Sequence, residues 1–197
     1  MLDLVALDNG HGCNTPGKRS PVMEDGRQLF EWEFNRDIVK RIAKGLDEIG
    51  IKYVIIVPED EDISLTERCR RANKIEGNWF FLSIHANAGG GTGWEVHTSK
   101  GTTKSDTYAN IFHEEANAEL GKEFKMRGDY TDGDLDWDSN FTVLTKTQKP
   151  AVLTENLFMD TKKDCLFLLS EEGRQRIANL HIKAIKRIFD LENGEQK

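Results

Sequence analysis

The 197-residue chain carries a formal net charge of −7 and a hydrophobic fraction of 38%, values typical of a soluble globular protein. The negative charge argues against nucleic-acid binding, which favours a basic surface, and against attachment to anionic membranes through bulk charge. The three cysteines, Cys13, Cys69 and Cys165, are too few and too widely spaced for a disulfide framework. Such sparse cysteine usage is typical of a protein made in a reducing compartment.

The N-terminal segment is interpreted as a strand and not as an export signal. Residues 1–12 contain no basic segment, and their apolar run is too short for a signal peptide. No apolar stretch approaches the roughly 20 residues that a membrane helix needs. We therefore expect synthesis in the cytoplasm without a recognisable signal peptide, unless a signal has been removed from the sequence.

Short apolar runs of β-type composition alternate with longer segments of helical periodicity. Gly50 is placed to end the first helix, and Ser64 with Glu67 forms a capping-box pattern at the start of the second. In chain order the predicted elements are a strand at 2–8, a helix at 34–49 that begins near Glu31, a strand at 52–57, a helix at 64–74, strands at 79–85 and 93–98, a helix at 105–122, an exposed loop at 125–138, strands at 141–145 and 151–155, and a helix at 177–191.

This alternation predicts an α/β fold, a single-domain sandwich with a central, mostly parallel twisted sheet flanked by helices on both faces. No repeat, linker or change of composition indicates a second domain. We assign residues 1–192 to the domain and residues 193–197 to a polar C-terminal tail.

Three of the apolar strands lead into side chains that can bind a metal ion. His11 follows the first strand, His85 ends the third and Glu155 ends the last. Ligands of open α/β sheets bind beyond the carboxyl ends of the strands, so parallel neighbours would bring these three side chains to one edge. Glu31, at the start of the first long helix, is a fourth candidate there.

Imidazole and carboxylate groups in this combination favour zinc. Catalytic zinc sites commonly have three protein ligands and a water molecule, and two histidines with one glutamate form a known set. The bound water, with a pKa of about 7, would be the nucleophile, and a remaining carboxylate would transfer its proton. The short His-Glu-x-x-His signature is absent, and a lone histidine at a strand end is more often a structural residue than a ligand. The coincidence of candidates at several strand ends favours a site, but the residues alone identify no substrate.

Six segments around these candidates form an ordered set of motifs over nearly the whole chain. They are residues 7–12 (LDNGHG), 31–35 (EWEFN), 64–68 (SLTER) with Ala72 and Asn73, 83–87 (SIHAN), 93–96 (GWEV) and 150–155 (PAVLTE). Together they resemble the amidase-3 family of N-acetylmuramoyl-L-alanine amidases.

The resemblance implies one Zn²⁺ per chain, held by His11, Glu31 and His85, with Glu155 as general acid/base. It also implies hydrolysis of the amide between N-acetylmuramic acid and L-alanine in bacterial peptidoglycan, with zinc-bound water as the nucleophile. Residues 1–192 would be the catalytic domain. The partner would be peptidoglycan, with no nucleic acid and no integral membrane segment, and the enzyme, expected to be a monomer, would act on the cell wall after release or export.

Two residues leave alternatives open at the metal site. Cys13 stands where the family usually has a second glycine, and it is interpreted as an incidental small residue, with a thiolate ligand as the alternative. Glu24 is a rival to Glu31 for the carboxylate ligand. The spacing from Glu31 to Asn35 in the motif favours Glu31.

Three further polar residues are candidates for supporting or substrate-binding roles. Arg68, together with Asn73, is expected to brace the helix at the site edge more than to contact substrate. Asn87 is expected to order the loop after His85, and it is also a candidate hydrogen-bond partner for a ligating imidazole, because such rings usually need one. Arg127 could pair with a substrate carboxylate, although a solvated arginine is the alternative.

The remaining histidines and two aromatic residues are interpreted as structural or surface groups. His97 is expected to face solvent from the fourth strand, and His113 and His181 to lie on helix surfaces. Tyr130 and Trp137 belong to the polar loop, where they would stack on sugar or pack the loop down.

Two other functions compete with the amidase interpretation. One is a different zinc hydrolase of cell-wall material, a peptidase or a deacetylase. The other is a non-catalytic wall-binding module, which is disfavoured because all four expected site residues are present. The lack of an export signal and of repeat-type wall-binding modules favours a phage or prophage lysin over a bacterial enzyme.

Overall fold

The structure is a computed structural model that describes residues 1–131 and 133–194, and it contains one six-stranded sheet with six helices. The strands are β1 (Leu4–Asn9), β2 (Tyr53–Ile55), β3 (Trp79–Asn87), β4 (Glu95–Thr98), β5 (Trp137–Asp138) and β6 (Ala151–Phe158). The helices are α1 (Glu31–Glu48), α2 (Leu65–Ala72), α3 (Lys104–Leu120), α4 (Thr142–Thr145), α5 (Lys162–Leu168) and α6 (Glu171–Asn193).

The strands follow the order β2-β1-β3-β6-β4-β5. Every neighbouring pair is parallel except β4 and β6, which run antiparallel. The three strands that lead into His11, His85 and Glu155 are therefore adjacent and parallel in the centre of the sheet. Their carboxyl ends meet at one edge, as the sequence predicted.

Helices cover both faces of the sheet. Successive side chains of a strand point to opposite faces, so both sets are buried under helices. Phe80, Leu82 and Ile84 of β3 join the larger core, formed with α1, α3 and α6. Trp79 and Phe81 join a smaller core with α2 and α4. The predicted α/β sandwich is confirmed.

Local signals place the ends of two helices. The hydroxyl of Ser64 accepts a hydrogen bond from the amide of Glu67, so α2 begins at the predicted cap. Gly50 has a φ of +72°, the left-handed conformation that ends α1 and that favours glycine.

The strand predicted at residues 141–145 is wrong, since Thr142–Thr145 forms the single-turn helix α4. Its β-branched composition suggested a strand, but Val143 and Leu144 are both buried in the smaller core. Successive residues of a strand point to opposite faces, whereas a helical turn allows both side chains to pack against α2.

The C-terminal half differs from expectation at two further places. The predicted exposed loop contains the strand β5 and the buried residue Asp136. Helix α5 precedes the predicted C-terminal helix and was not anticipated. Residue 132 of the loop and residues 195–197 of the predicted tail lie outside the described residues.

The surface positions predicted for three histidines are wrong. His97 and His113 are only 8% and 7% exposed, and His181 is fully buried. The His181 ring lies 2.9 Å from the hydroxyl of Thr154 and 2.7 Å from the carbonyl oxygen of Ile177, which satisfies both nitrogens inside the core. Burial lowers the pKa of His181 to about 4, so the ring is neutral at neutral pH.

In the part of the chain that the structure describes, no helix has both the length and the apolar character required to cross a bilayer.

Candidate metal centre

Three side chains converge near the carboxyl ends of β1 and β3. Oε1 of Glu31, in the first turn of α1, lies 3.3 Å from Nε2 of His11 and 3.1 Å from Nδ1 of His85. The possible ligand atoms of the three residues all lie within 4.8 Å of one another. The structure thus brings together the three residues that the resemblance implied as ligands.

The backbone after β1 is bent so that the ring of His11 faces the centre. His11 has a φ of +62°, a conformation that costs free energy for a residue with a side chain. Its carbonyl oxygen accepts hydrogen bonds from the guanidinium groups of Arg36 and Arg68. Asn35 donates to the carbonyl oxygen of Gly10. These contacts hold the strained turn in place.

Gly10 is required because the ring of His85 packs directly over its backbone. A Cβ atom at this position would lie 2.1 to 2.6 Å from three atoms of the imidazole, well inside van der Waals contact. The absence of a side chain at Gly10 therefore sets the position of the second histidine.

Glu31 is held in its ionised form although it is only 1% exposed. Burial opposes ionisation, but hydrogen bonding to the rings of His11 and His85 outweighs it and keeps the pKa of Glu31 below its usual value. Oε2 of Glu31 is buried and accepts no hydrogen bond from the described residues. The nearest cation, Nζ of Lys18, is 3.9 Å away from it.

A chain of polar contacts leads from His85 away from the centre. Nε2 of His85 lies 3.1 Å from Oγ of Ser83, and Ser83 donates to Asp8 at 2.6 Å. Arg68, 1% exposed, donates to the same carboxylate at 2.6 Å. Ligating imidazoles commonly have such a partner on the second nitrogen, which fixes the tautomer and the ring orientation.

Glu155 lies next to this centre, on β6 directly opposite His85 of β3. Oε2 of Glu155 is buried and has no hydrogen-bond partner among the described residues. Loss of hydration, reinforced by the charges of Glu31 and Glu95 and opposed by His85, raises the pKa of Glu155 to about 8. A carboxyl group in this environment is suited to holding and releasing a proton near neutral pH.

A cleft of about 390 Å³ opens above the centre. His11, His85, Glu155 and Lys18 line its polar part. An apolar wall faces them, and it includes two side chains that are unusually exposed for their type, Leu65 at 51% and Phe141 at 42%. These residues leave room for an extended substrate with both polar and apolar parts.

The donor set fits zinc. Bond lengths of 2.0 to 2.2 Å in tetrahedral geometry place neighbouring ligand atoms about 3.4 Å apart. The distances of 3.3 and 3.1 Å from Glu31 to the two imidazoles match this spacing. The buried oxygen of Glu31 that accepts no hydrogen bond is also consistent with a cation at this position.

Comparison with known families decides the relationship. The family model Amidase_3, described as N-acetylmuramoyl-L-alanine amidase, matches residues 5–187. The chain belongs to this family. The CwlM amidase of Bacillus licheniformis is 34% identical over 188 residues, which cover 95% of this chain and 69% of that protein. The endolysin of Bacillus phage SPP1 is 31% identical, with coverage of 97% and 68%.

Solved structures agree with the family assignment. An N-acetylmuramoyl-L-alanine amidase from Clostridium difficile 630 superposes with a TM-score of 0.82 at 26% identity, covering 96% of this chain and 97% of that chain. The catalytic domain of CwlV, an amidase from Bacillus (Paenibacillus) polymyxa var. colistinus, gives 0.80 at 25% identity, with coverage of 96% and 99%. The Amidase_3 fold therefore accounts for nearly all of this chain.

The geometry does not support Glu24 or Cys13 as a ligand of the candidate metal centre. Glu24 is exposed and forms an ion pair with Lys162 at 2.7 Å, away from the histidines. Cys13 is an exposed free cysteine outside the group formed by His11, Glu31 and His85.

Sequence reasoning missed one carboxylate next to the candidate metal centre, that of Glu95. Glu95 is 6% exposed and lies directly opposite Glu155 in the antiparallel pair of β4 and β6. It accepts hydrogen bonds from Asn87 and Arg127, and its Oε1 is 3.3 Å from Nε2 of His97. The signal in the sequence was an acidic residue between the apolar residues Trp94 and Val96.

The three supporting residues agree only in part with expectation. Asn87 accepts a hydrogen bond from the amide of Ala88 in the loop after His85, as expected, but its own amide group donates to Glu95 and not to a ligating imidazole. The imidazole of His85 has Ser83 as its partner. Arg127 pairs with Glu95 and stacks over a phenylalanine ring outside the cleft. Arg68 braces the turn after β1, which agrees with the structural role preferred for it.

Proposed function

We propose that this chain is an N-acetylmuramoyl-L-alanine amidase that hydrolyses the amide between N-acetylmuramic acid and L-alanine in bacterial peptidoglycan. The proposal assigns one Zn²⁺ to His11, Glu31 and His85, and the role of general acid/base to Glu155. The membership of the Amidase_3 family and the names of the relatives support the substrate class.

The main support for the proposal is that two neighbouring glutamates, Glu31 and Glu155, have opposite pKa shifts beside the same cleft. Glu31 is ionised and lies in contact with both imidazoles, as a ligand must be. Glu155 has a raised pKa and a buried oxygen without a hydrogen-bond partner. Different environments for two neighbouring carboxyl groups are typical of sites that divide metal binding from proton transfer.

The residues of the chain perform the remaining tasks. When bound, zinc would supply polarisation of the scissile carbonyl and activation of a water molecule. In its ionised form, Glu155 would accept a proton from the attacking water, and it would then deliver that proton to the nitrogen of L-alanine as the carbon–nitrogen bond breaks. Ser83 would keep the His85 ring in one orientation throughout.

The cleft supports binding of both parts of a muramyl peptide. Leu65 and Phe141 offer apolar surface for the face of a sugar ring. Phe141 packs against the ring of His97 with centroids 5.2 Å apart, which orients it. Lys18, across the cleft, supplies a positive charge for a carboxylate of the stem peptide.

The test is digestion of purified peptidoglycan by the zinc-loaded protein, with the new chemical ends identified by mass spectrometry. We expect free stem peptides that begin with L-alanine, and intact glycan strands. Release of acetate, or new amines elsewhere in the stem, would instead indicate a deacetylase or a peptidase. No new ends despite bound zinc would favour a wall-binding module.

Glu155→Gln tests the proposed proton transfer. This variant should keep zinc and substrate binding while kcat falls by about 10²- to 10⁴-fold, because the amide cannot carry the proton. Glu24→Gln, which changes an exposed carboxylate, is the matched control and should hydrolyse normally. Normal turnover by the Glu155 variant would show that the assignment is wrong.

A further inference from the structure

A second group of carboxylates lies outside the proposed active site. Asp106 in the first turn of α3 and Asp134 and Asp136 before β5 place possible ligand atoms within 4.8 Å of one another. Unlike an exposed acidic patch, this group is withdrawn from solvent, since Asp106 and Asp136 are only 6% and 2% exposed. Like charges at this separation repel strongly where water is excluded.

Asp136 is the residue of this group that indicates a cation-binding site. Its Oδ1 atom is buried and has no hydrogen-bond partner among the described residues. Buried carboxylate oxygens are normally satisfied by donors or by a cation. Asp136 lies among other carboxylates in a region that excludes water, which strongly disfavours an uncompensated negative charge.

The donors around the group leave Oδ1 of Asp136 without a hydrogen-bond partner among the described residues. Thr98 is fully buried, and its one hydroxyl proton faces two acceptors, Asp106 Oδ1 at 3.0 Å and Asp136 Oδ2 at 2.7 Å. A hydroxyl donates one hydrogen bond at a time. The amide and the hydroxyl of Thr103 both contact the carboxylate of Asp106, and neither of these hydrogen bonds reaches Asp136.

We propose that Asp106, Asp134, Asp136 and the hydroxyl of Thr98 form a binding site for one Ca²⁺ ion, separate from the zinc centre. The donors are all oxygen atoms, which suit a hard cation and not zinc. At Ca²⁺–oxygen distances of 2.3 to 2.6 Å, ligands on opposite sides of the ion are up to about 5 Å apart. Separations of at most 4.8 Å between the possible ligand atoms fit that sphere.

The ion would join three segments of the chain. Thr98 ends β4, Asp106 caps the start of α3 through the amide of Thr103, and Asp136 immediately precedes β5. The chain continues from β5 through Ser139, which lies 2.8 Å from the ring of His97, to Phe141 at the cleft. Occupation of the site would therefore order the segment that leads to the apolar wall.

Titration calorimetry of the zinc-loaded protein with CaCl₂ in calcium-free buffer tests the site, whether or not the chain hydrolyses peptidoglycan. We expect one Ca²⁺ per chain and a rise of roughly 5 °C in the unfolding midpoint at saturating Ca²⁺. Asp136→Asn keeps the side-chain shape without the charge, so it should fold and bind Ca²⁺ at least about tenfold more weakly. Asp129→Asn, an exposed position in the same loop, is the control and should bind like the parent.

A parent protein that binds no Ca²⁺ would overturn the proposal, as would equal affinity in the parent and the Asp136 variant. If Asp136→Asn fails to fold, Asp106→Asn provides the second comparison, because its amide oxygen can still accept from Thr103. Unchanged Ca²⁺ affinity in that variant would equally refute the site.

Discussion

Substitution of Gly10 by alanine should weaken the metal centre without adding or removing any metal-binding group. The new Cβ atom would meet Cε1 of His85 at 2.1 Å, whereas ordinary contacts begin at 3.4 Å. The ring must therefore retreat by the difference, about 1.3 Å. Metal–ligand distances tolerate changes of only about 0.2 Å, so the imidazole can no longer reach the position fixed by Glu31 and His11.

The expected size of the effect follows from this displacement. Loss of correct ring orientation should lower zinc affinity by roughly 10- to 100-fold. At saturating zinc, kcat should still fall by about 100-fold, because a misplacement of 1 Å has that consequence for a reacting group. Overpacking should also lower the free energy of unfolding by about 1 to 3 kcal/mol.

Gly91→Ala separates the stability effect from the metal effect. Its Cβ would press on the ring of Phe158 at 2.5 Å, a comparable clash away from the histidines. Competition with a chromogenic chelator gives the zinc affinity, and urea unfolding of both variants gives the stability. We expect similar losses of stability, and a loss of zinc affinity only in Gly10→Ala. If Gly10→Ala binds zinc like the parent and turns over within twofold of it, the packing argument for His85 is wrong.

Three further predictions concern residues away from the cleft opening. Ser83→Ala should lower zinc affinity about tenfold with the fold intact, and an unchanged affinity in the chelator assay would remove Ser83 from the support of His85. Arg68→Met should lower the free energy of urea unfolding by about 3 to 5 kcal/mol, because it removes the ion-pair partner of the buried Asp8. The control Arg70→Met, at an exposed position, should lower it by under about 1 kcal/mol. Similar losses in the two variants would refute the bracing role of Arg68. When the pH falls from 7 to 4.5, the parent should lose about 2 to 3 kcal/mol more free energy of unfolding than His181→Gln. The reason is that the His181 ring binds a proton below about pH 6.5 in the unfolded state, but only near pH 4 in the folded state. Parallel pH profiles of the two proteins would contradict a buried neutral ring.

The clustering of the candidate ligands was predictable because parallel strands present their carboxyl ends at one edge. His11, His85 and Glu155 each lie at or just after the end of an apolar run in the sequence, so their proximity followed from the topology. Glu31 was harder to choose from spacing alone, since Glu24 is the same residue type on the same connection. The motif register made that choice, and the geometry agrees with it.

The supporting groups were less accessible to sequence reasoning. Ser83 lies two residues before His85 and therefore on the same face of β3, a relation that the period of a strand implies. Glu95 could be noticed as a buried acid, but its position beside Glu155 depends on the antiparallel insertion of β4 next to β6. Nothing in local composition specifies that strand order, because it is set by packing across the whole sheet.

Errors occurred where tertiary packing overrides local preference. Thr142–Thr145 is rich in β-branched residues yet helical, since its packing against α2 decides the conformation. His181 looked like a surface residue in an amphipathic helix, but α6 packs against both α1 and α3 and has little solvent-facing surface at that position. The periodicity of apolar residues predicts one buried face of a helix, but it does not indicate how many other elements pack against that helix.

The two ends of the described chain are joined by a reciprocal pair of hydrogen bonds. Oδ1 of Asn193 accepts from the amide of Leu2 at 2.6 Å, and its Nδ2 donates to the carbonyl oxygen of Leu2. The six residues of β1 separate this point from the cleft by roughly 20 Å. A circular permutant with a short linker between the ends, reopened at the exposed turn around Gly101, should therefore fold with its cleft unobstructed. The same geometry makes this end of the domain a suitable position for attaching a surface tether or a fluorescent reporter.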